Sequence, residues 1–230
     1  MSARAVIWQA WSAYRACGLY LVGLTAAFFL AIGAVSVAVI VPFGDEGYAL
    51  AALLALLGFV WAQAMIVEAI AAIEEPTADR SFRSRVRAVS PYAGTLFVVW
   101  ILLTAGLAVG FLLLIVPGFV LYARWALVVP ILVLERKGVD ASFARSKRLV
   151  AGRAWTAFWT LVLSGLLALV PVVPIYAIAQ ALPLSADGAD LVTQLVAQAV
   201  YLPFLMLCLT VLYADLHSRF APPAPHQSLA

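Results

Sequence analysis

Few residues in this sequence have the type and spacing that catalysis requires. The two histidines, His217 and His226, both lie near the C-terminal end. No apolar run contains paired carboxylates for acid and base chemistry, or His and Glu at metal-binding spacing. The sequence also lacks a glycine-rich phosphate loop and a serine in a G-x-S-x-G context. We therefore predict no catalytic residue, no metal site and no cofactor.

Polar residues inside long apolar runs are the remaining candidates for a site. They are Arg124, Glu68, Gln194 and Gln198. A charge at mid-membrane costs roughly 2.5 to 3.5 kcal/mol, so such residues usually face protein or water. Arg124 has three interpretations: it reaches outward to phosphate headgroups, it has a buried partner among the helices, or it binds a substrate. A straight helix would place Glu68 well below Arg124, so a pair between them requires a tilted or broken helix.

Gln194 and Gln198 lie one turn apart and share a helix face. They either form hydrogen bonds to a neighbouring helix or line a polar cavity.

Cations that cluster in two loops form a second set of candidates. Each cluster alternates with apolar residues at helical spacing, as in helices that lie on a membrane surface. We expect these cations to bind the headgroups of anionic phospholipid. The predicted headgroup contacts are Arg83, Arg85, Arg87, Arg145, Lys147, Arg148 and Arg153.

A short basic amphipathic helix is predicted before each of three helical hairpins, at residues 4–15, in the loop 74–90 and at residues 139–153. Each has an apolar stripe at i, i+4 and i+7 spacing. The stripes are Ile7, Trp11 and Tyr14; Phe82, Val86 and Val89; and Val139, Phe143 and Val150, with Ser146 in one slot of the third.

The composition places these elements in a membrane. Hydrophobic residues make up 66% of the chain and charged residues 11%, whereas soluble domains are nearer half apolar and a quarter charged. The net charge of +3 lies in short loops between apolar runs, which favours membrane topology and anionic lipid over nucleic acid. Cys17 and Cys208 are predicted to be small buried side chains. The chain is therefore predicted to be an all-α integral membrane protein.

Six apolar runs are predicted to span the membrane, at residues 19–41, 48–73, 92–116, 119–134, 155–179 and 191–214. They form one domain over residues 1–220, followed by a disordered Pro-rich tail at 221–230. Of the 14 Lys and Arg residues, all but Arg124 fall on one side of these spans. The positive-inside rule therefore predicts that both termini and the loops 74–90 and 135–155 are cytoplasmic.

Two stretches resemble the glycerophosphoryl diester phosphodiesterase membrane-domain family. The residues that match the longer pattern are Pro117, Gly118, Arg124, Trp125, Pro130, Glu135, Ser146, Lys147, Leu149, Gly152 and Trp155. The C-terminal match is Tyr213, Asp215, Leu216 and Arg219. The resemblance implies a six-span bacterial membrane protein. Some members carry a phosphodiesterase domain after the membrane part, but this sequence contains none, so the resemblance implies location and fold rather than activity.

Two functional classes follow. The first, which we prefer, is a non-enzymatic scaffold or accessory protein of the bacterial cytoplasmic membrane that interacts with anionic lipid. The second is a transporter or lipid-handling protein, which would require a polar cavity near mid-membrane. The positions of the four intramembrane polar residues distinguish these two classes. Convergence on one cavity favours the transporter or lipid-handling protein, and scattered positions favour the scaffold. The sequence leaves protein partners and oligomeric state open.

Overall fold

The structure is a computed structural model that describes residues 2–73, 75, 79–113, 115–181 and 186–220, and these contain helices and no β-strand. A short 3-10 turn, Ser90–Tyr92, connects the second helix to the third. The helices are α1 (Ala3–Ile73), α2 (Phe82–Val89), α3 (Ala93–Leu113), α4 (Ile115–Trp125), α5 (Val128–Leu134), α6 (Val139–Val150), α7 (Ala154–Ala181) and α8 (Ala186–Phe220). The predicted all-α class is confirmed. The predicted tail at 221–230 lies outside the described residues.

Within the described part of the chain, six helical segments are long and apolar enough to cross a membrane. They are Ala3–Gly44, Glu46–Ile73, Phe82–Leu113, Val116–Leu134, Ala154–Ala181 and Thr193–Arg219. Large apolar side chains point away from the protein along them, including Leu19 at 92% and Leu112 at 87% exposure. Soluble monomers rarely expose apolar surface so extensively. The chain is a multi-pass membrane protein, with the number of spans that the sequence predicts.

Helix α1 is broken at Gly44, which divides it into two arms. Gly44 has φ 52° and ψ −127°, a conformation in which a side chain would be strained, and Pro42 precedes it. The two arms pack against each other, because a Cβ at Gly58 would lie 3.0 Å from Cγ1 of Ile32. The break therefore produces the first helical hairpin.

The first predicted amphipathic helix is not a separate element. Ala3–Gly44 is continuous over 42 residues, or about 63 Å at 1.5 Å per residue, roughly twice the hydrocarbon thickness of a bilayer. The buried residues also differ from the predicted stripe. Val6 and Ala10 are fully buried, whereas Trp11 is 44% exposed. The prediction of a separate surface helix failed because no break interrupts α1 before Gly44.

The N-terminal part of α1 packs antiparallel to α8. The Tyr14 hydroxyl donates to the Val200 carbonyl at 3.2 Å, and the Tyr14 ring meets the Phe204 ring edge-on at 5.6 Å. Val6, nearer the N-terminus, shares a buried cluster with Leu216, nearer the end of α8. The main core lies beside this pair and combines both arms of α1 with residues of α3, α5 and α8.

Glycines bring α3 and α4 into close contact. A Cβ at Gly106 would lie 2.4 Å from the Trp125 ring, and a Cβ at Gly110 would lie 3.2 Å from Cα of Gly118. Small residues permit such approaches between membrane helices. The hairpin is therefore held by packing that larger side chains would prevent.

The fourth predicted span is interrupted between α4 and α5. The turn covers Ala126 and Leu127, and Leu127 has φ −100° and ψ 6°. Pro130 causes the break, because it lacks an N–H and its ring clashes with the carbonyl four residues earlier. Arg124 therefore lies in the last turn of α4 instead of inside a continuous helix.

The other two predicted amphipathic segments form helices. α2 continues through Ser90–Tyr92 directly into α3, so the third span begins as a single run at Phe82. α6 is set apart from α7 by a turn in which Gly152 has φ 78°.

Candidate functional site

One face of α6 packs into the protein. Ser142, Ser146, Leu149 and Val150 are buried on it, and the Ser146 hydroxyl donates to the Arg124 carbonyl at 2.8 Å. That carbonyl lies where the Pro130 break removes an ordinary helical partner. The hydrogen bond therefore attaches α6 to the end of α4. Of the predicted stripe, Ser146 and Val150 are buried in the protein, while Val139 and Phe143 are only partly buried.

The opposite face of α6 presents cations. Lys147 and Arg148 are exposed, and neither side chain has a partner among the described residues. Arg153 follows in the turn and is partly exposed. Trp155, at the start of α7, is 70% exposed. Tryptophan beside cations is typical of a membrane–water interface.

Glu135 forms a charged cluster at the end of α5. Its Oε1 accepts hydrogen bonds from Nε of Arg145 at 3.2 Å and from the Tyr213 hydroxyl at 3.0 Å. Its Oε2 lies 2.5 Å from Nζ of Lys137. His217 completes the cluster, with Nδ1 3.3 Å from Nη2 of Arg145. The cluster connects α5 to α6 and α8 and so fixes the position of α6.

The hydrogen bonds decide the charge of Glu135. Partial burial alone would raise the pKa of Glu135, but the hydrogen bonds from Lys137, Arg145 and Tyr213 outweigh it and hold the pKa below its usual value. A carboxylate bound by three donors is a poor base. The cluster is suited to holding helices together.

Arg145 and Arg85 do not fit their predicted role as headgroup contacts. Arg145 is engaged with Glu135, and its side chain is 20% exposed. Arg85 is 6% exposed. Its Nη1 lies 3.5 Å from the Glu68 carbonyl, Nη2 donates to the Asp79 carbonyl, and the buried Nε has no partner among the described residues. The amphipathic pattern failed here because a long side chain can turn back to satisfy backbone carbonyls of the preceding loop.

The loop before α2 explains how Arg85 is held. The Asp79 carboxylate accepts from the Ser81 backbone N–H at 2.8 Å and the Ser81 hydroxyl at 2.9 Å, which lowers the pKa of Asp79. Ser81 in turn caps α2 by accepting from the Ser84 N–H. This fixed loop directs the Asp79 carbonyl at Arg85. The other predicted headgroup contacts of this segment, Arg83 and Arg87, are exposed.

The four intramembrane polar residues do not come together. Arg124 and Gln194 are exposed, Gln198 and Glu68 are partly exposed, and no hydrogen bond or ion pair joins any two of them within the described part of the chain. Two cavities of about 810 and 310 Å³ are formed by other residues. The convergence required for a polar transport site is not seen in these four.

Sequence reasoning did not identify the Glu135 cluster as a site. Its members lie up to 82 residues apart, as Glu135 and His217 do. One signal was available, because Glu135 belongs to the longer of the two family-like stretches and Tyr213 to the shorter. The structure brings these two stretches into contact. No group of three or more His, Cys, Asp or Glu side chains that could hold a metal ion occurs among the described residues.

Comparisons with protein-family models, with curated proteins and with solved structures found no match to this chain. The family resemblance therefore remains a prediction.

Proposed function

We propose that this chain is a non-enzymatic scaffold or accessory protein of the bacterial cytoplasmic membrane that binds anionic phospholipid through the cations of α6. The observation that carries the proposal is the division of α6 into two faces. Ser142, Ser146 and Leu149 are buried, while Lys147 and Arg148 are exposed and unpaired within the described residues. Each such cation is worth about 1 kcal/mol of attraction to an anionic membrane surface.

The packing of α6 supports this role. A flexible basic loop would lose conformational freedom on binding lipid, whereas α6 is already held by the Glu135 cluster and by the hydrogen bond from Ser146 to Arg124. The exposed Trp155 lies five residues beyond the end of α6. Its ring suits the headgroup level, where tryptophan is enriched. The cations next to it then face phosphates.

A transporter or lipid-handling function is the less supported alternative. It would use a polar cavity formed by Arg124, Glu68, Gln194 and Gln198, and no hydrogen bond or ion pair joins any two of these in the described residues. A retained lipid is consistent with either class, but the scaffold interpretation does not require these residues to meet.

Native mass spectrometry of the detergent-purified protein tests the proposal. Wild type should retain phosphatidylglycerol in preference to phosphatidylcholine with the same acyl chains. The double substitution Lys147→Gln and Arg148→Gln should lower this preference by roughly tenfold or more, from two lost attractions of about 1 kcal/mol each. Arg145 is left unchanged, because its substitution would also disrupt the Glu135 cluster.

The matched control is Arg4→Gln with Arg15→Gln, which removes two exposed cations from α1. It should change the lipid preference less than the α6 pair does. Equal retention of phosphatidylglycerol by wild type and the α6 variant would show that these cations do not bind lipid.

A further inference from the structure

An open groove with a volume of about 810 Å³ lies between α3, α4 and α6. Its volume is within the range of about 300 to 1,000 Å³ typical of sites for small molecules. Small side chains create the space, since Ala105 and Gly106 line it from α3 and Ala144 lines it from α6. The walls are therefore mostly apolar.

Two aromatic rings, Trp125 and Phe143, line the groove from α4 and α6. The Trp125 ring lies over Gly106, where a Cβ would be only 2.4 Å away. The Phe143 ring meets Trp125 edge-on, with ring centroids 5.1 Å apart. The Trp125 ring takes the place that a side chain at Gly106 would occupy and forms part of the apolar wall. Such a wall matches the chemistry of an acyl chain.

Two charged residues of α6 also line the groove. Asp140 and Lys147 are exposed and seven residues apart, or about 10 Å along the helix, and they are not paired with each other. A ligand phosphate would be attracted by Lys147 and repelled by Asp140. The groove therefore has an apolar wall, and its two charges would orient a bound phosphate toward Lys147.

We propose that this groove holds one acyl chain of an anionic phospholipid, with the lipid phosphate at Lys147 and the chain against Ala105, Gly106 and Ala144. The inference rests on the proposed function and makes it specific, because it assigns the bound lipid to one place. If lipid binds only by attraction to the surface charge, Lys147 and its neighbour Arg148 should contribute equally to binding. If lipid binds in the groove, Lys147 should contribute more, since Lys147 lines the groove and Arg148 does not.

Single substitutions separate the two accounts by native mass spectrometry with phosphatidylglycerol and phosphatidylcholine. Lys147→Gln should lower the preference for phosphatidylglycerol about fivefold, and Arg148→Gln should lower it by less than twofold. Ala105→Phe fills the groove and should lower the retention of both lipids. Equal effects of the two cation variants, together with full retention by Ala105→Phe, would overturn the groove and leave the proposed function intact. No preference in wild type would overturn both.

A cross-linking measurement on wild type needs no variant to fold. Phosphatidylglycerol with a diazirine in its acyl chain should label peptides containing Ala105 and Ala144 more than the lipid-exposed peptide around Leu19. Uniform labelling, or cross-links between two protein chains through this groove, would overturn the proposal, the latter because a second copy would then occupy the site.

Discussion

Glu135 receives hydrogen bonds from Arg145 on α6 and Tyr213 on α8, and it pairs with Lys137 in the following loop. Its side chain is 12% exposed. Loss of a carboxylate at such a place leaves buried donors unsatisfied, which costs more than the loss of a surface ion pair. Among single residues, we expect the Glu135 carboxylate to contribute most to holding α6 in position.

Replacement of Glu135 by Gln should therefore destabilise the protein by about 2 kcal/mol, measured as a lower thermal unfolding temperature in detergent. Because the pKa of Glu135 is lower in the folded state than its usual value of 4.5, its stabilisation is complete above pH 4.5. It is lost as pH falls through the folded pKa. The wild-type and Gln variant unfolding temperatures should converge only in that acid range.

The control for this change is Asp140→Asn, which alters an exposed carboxylate of α6 without an ion pair and should shift stability by less than about 0.5 kcal/mol. A difference between wild type and Glu135→Gln that persists unchanged to pH 3 would mean that the charge of Glu135 is not what stabilises the cluster.

Ser146→Ala should cost about 1 to 2 kcal/mol in the free energy of unfolding, because the Arg124 carbonyl loses the donor that the buried Ser146 supplies. Ser142→Ala is the matched control. Ser142 is equally buried, but its hydroxyl donates at 2.9 Å to the Gly138 carbonyl within the same helix, so its loss should cost less. The comparison is made by thermal unfolding. Equal losses would indicate that the connection between α4 and α6 adds nothing beyond burial.

At the scale of helices, the α3–α4 hairpin is the element most dependent on single small residues. It forms one wall of the groove, and its closest contacts are Gly106 against Trp125 and Gly118 against Phe111. Membrane helices lack a hydrophobic driving force between them, so close packing must hold such a pair.

Gly106→Ala should accordingly destabilise the protein by about 1 to 3 kcal/mol, since Trp125 must move. Gly165→Ala on α7 meets open space and should be neutral or stabilising by up to about 1 kcal/mol. Thermal unfolding of both variants in the same detergent is the measurement. A tolerated Gly106→Ala would mean that the Trp125 ring is not fixed over this glycine.

Across the whole molecule, the apolar runs sufficed to predict six membrane segments, because length and hydropathy are local properties of the sequence. The breaks were less predictable. Pro130 and Gly44 each interrupt a helix, but neither residue type always does so in a membrane. The contacts between side chains that are distant in sequence were the least predictable, since Glu135 and Tyr213 meet only after the chain has folded. The predicted headgroup contact of Arg85 was wrong for the same reason, because its side chain meets backbone carbonyls that only the fold brings near it.

The cations of α2 and α6 can bind lipid of the cytoplasmic leaflet only if the molecule has the predicted orientation in the membrane. In that orientation, the exposed cations of both helices face the cytoplasm. The most direct measurement is labelling of single cysteines in intact cells with a membrane-impermeant maleimide, after Cys17 and Cys208 have been replaced by Ala. Positions are chosen among exposed residues, so Arg87 is used instead of the buried Arg85.

Glu46→Cys, in the turn between the two arms of α1, should be labelled from outside, whereas Arg87→Cys and Lys147→Cys should be labelled only after the cells are opened. We expect this pattern because 13 of the 14 Lys and Arg residues would then lie inside. Labelling of Arg87→Cys and Lys147→Cys in intact cells, with Glu46→Cys protected, would contradict it.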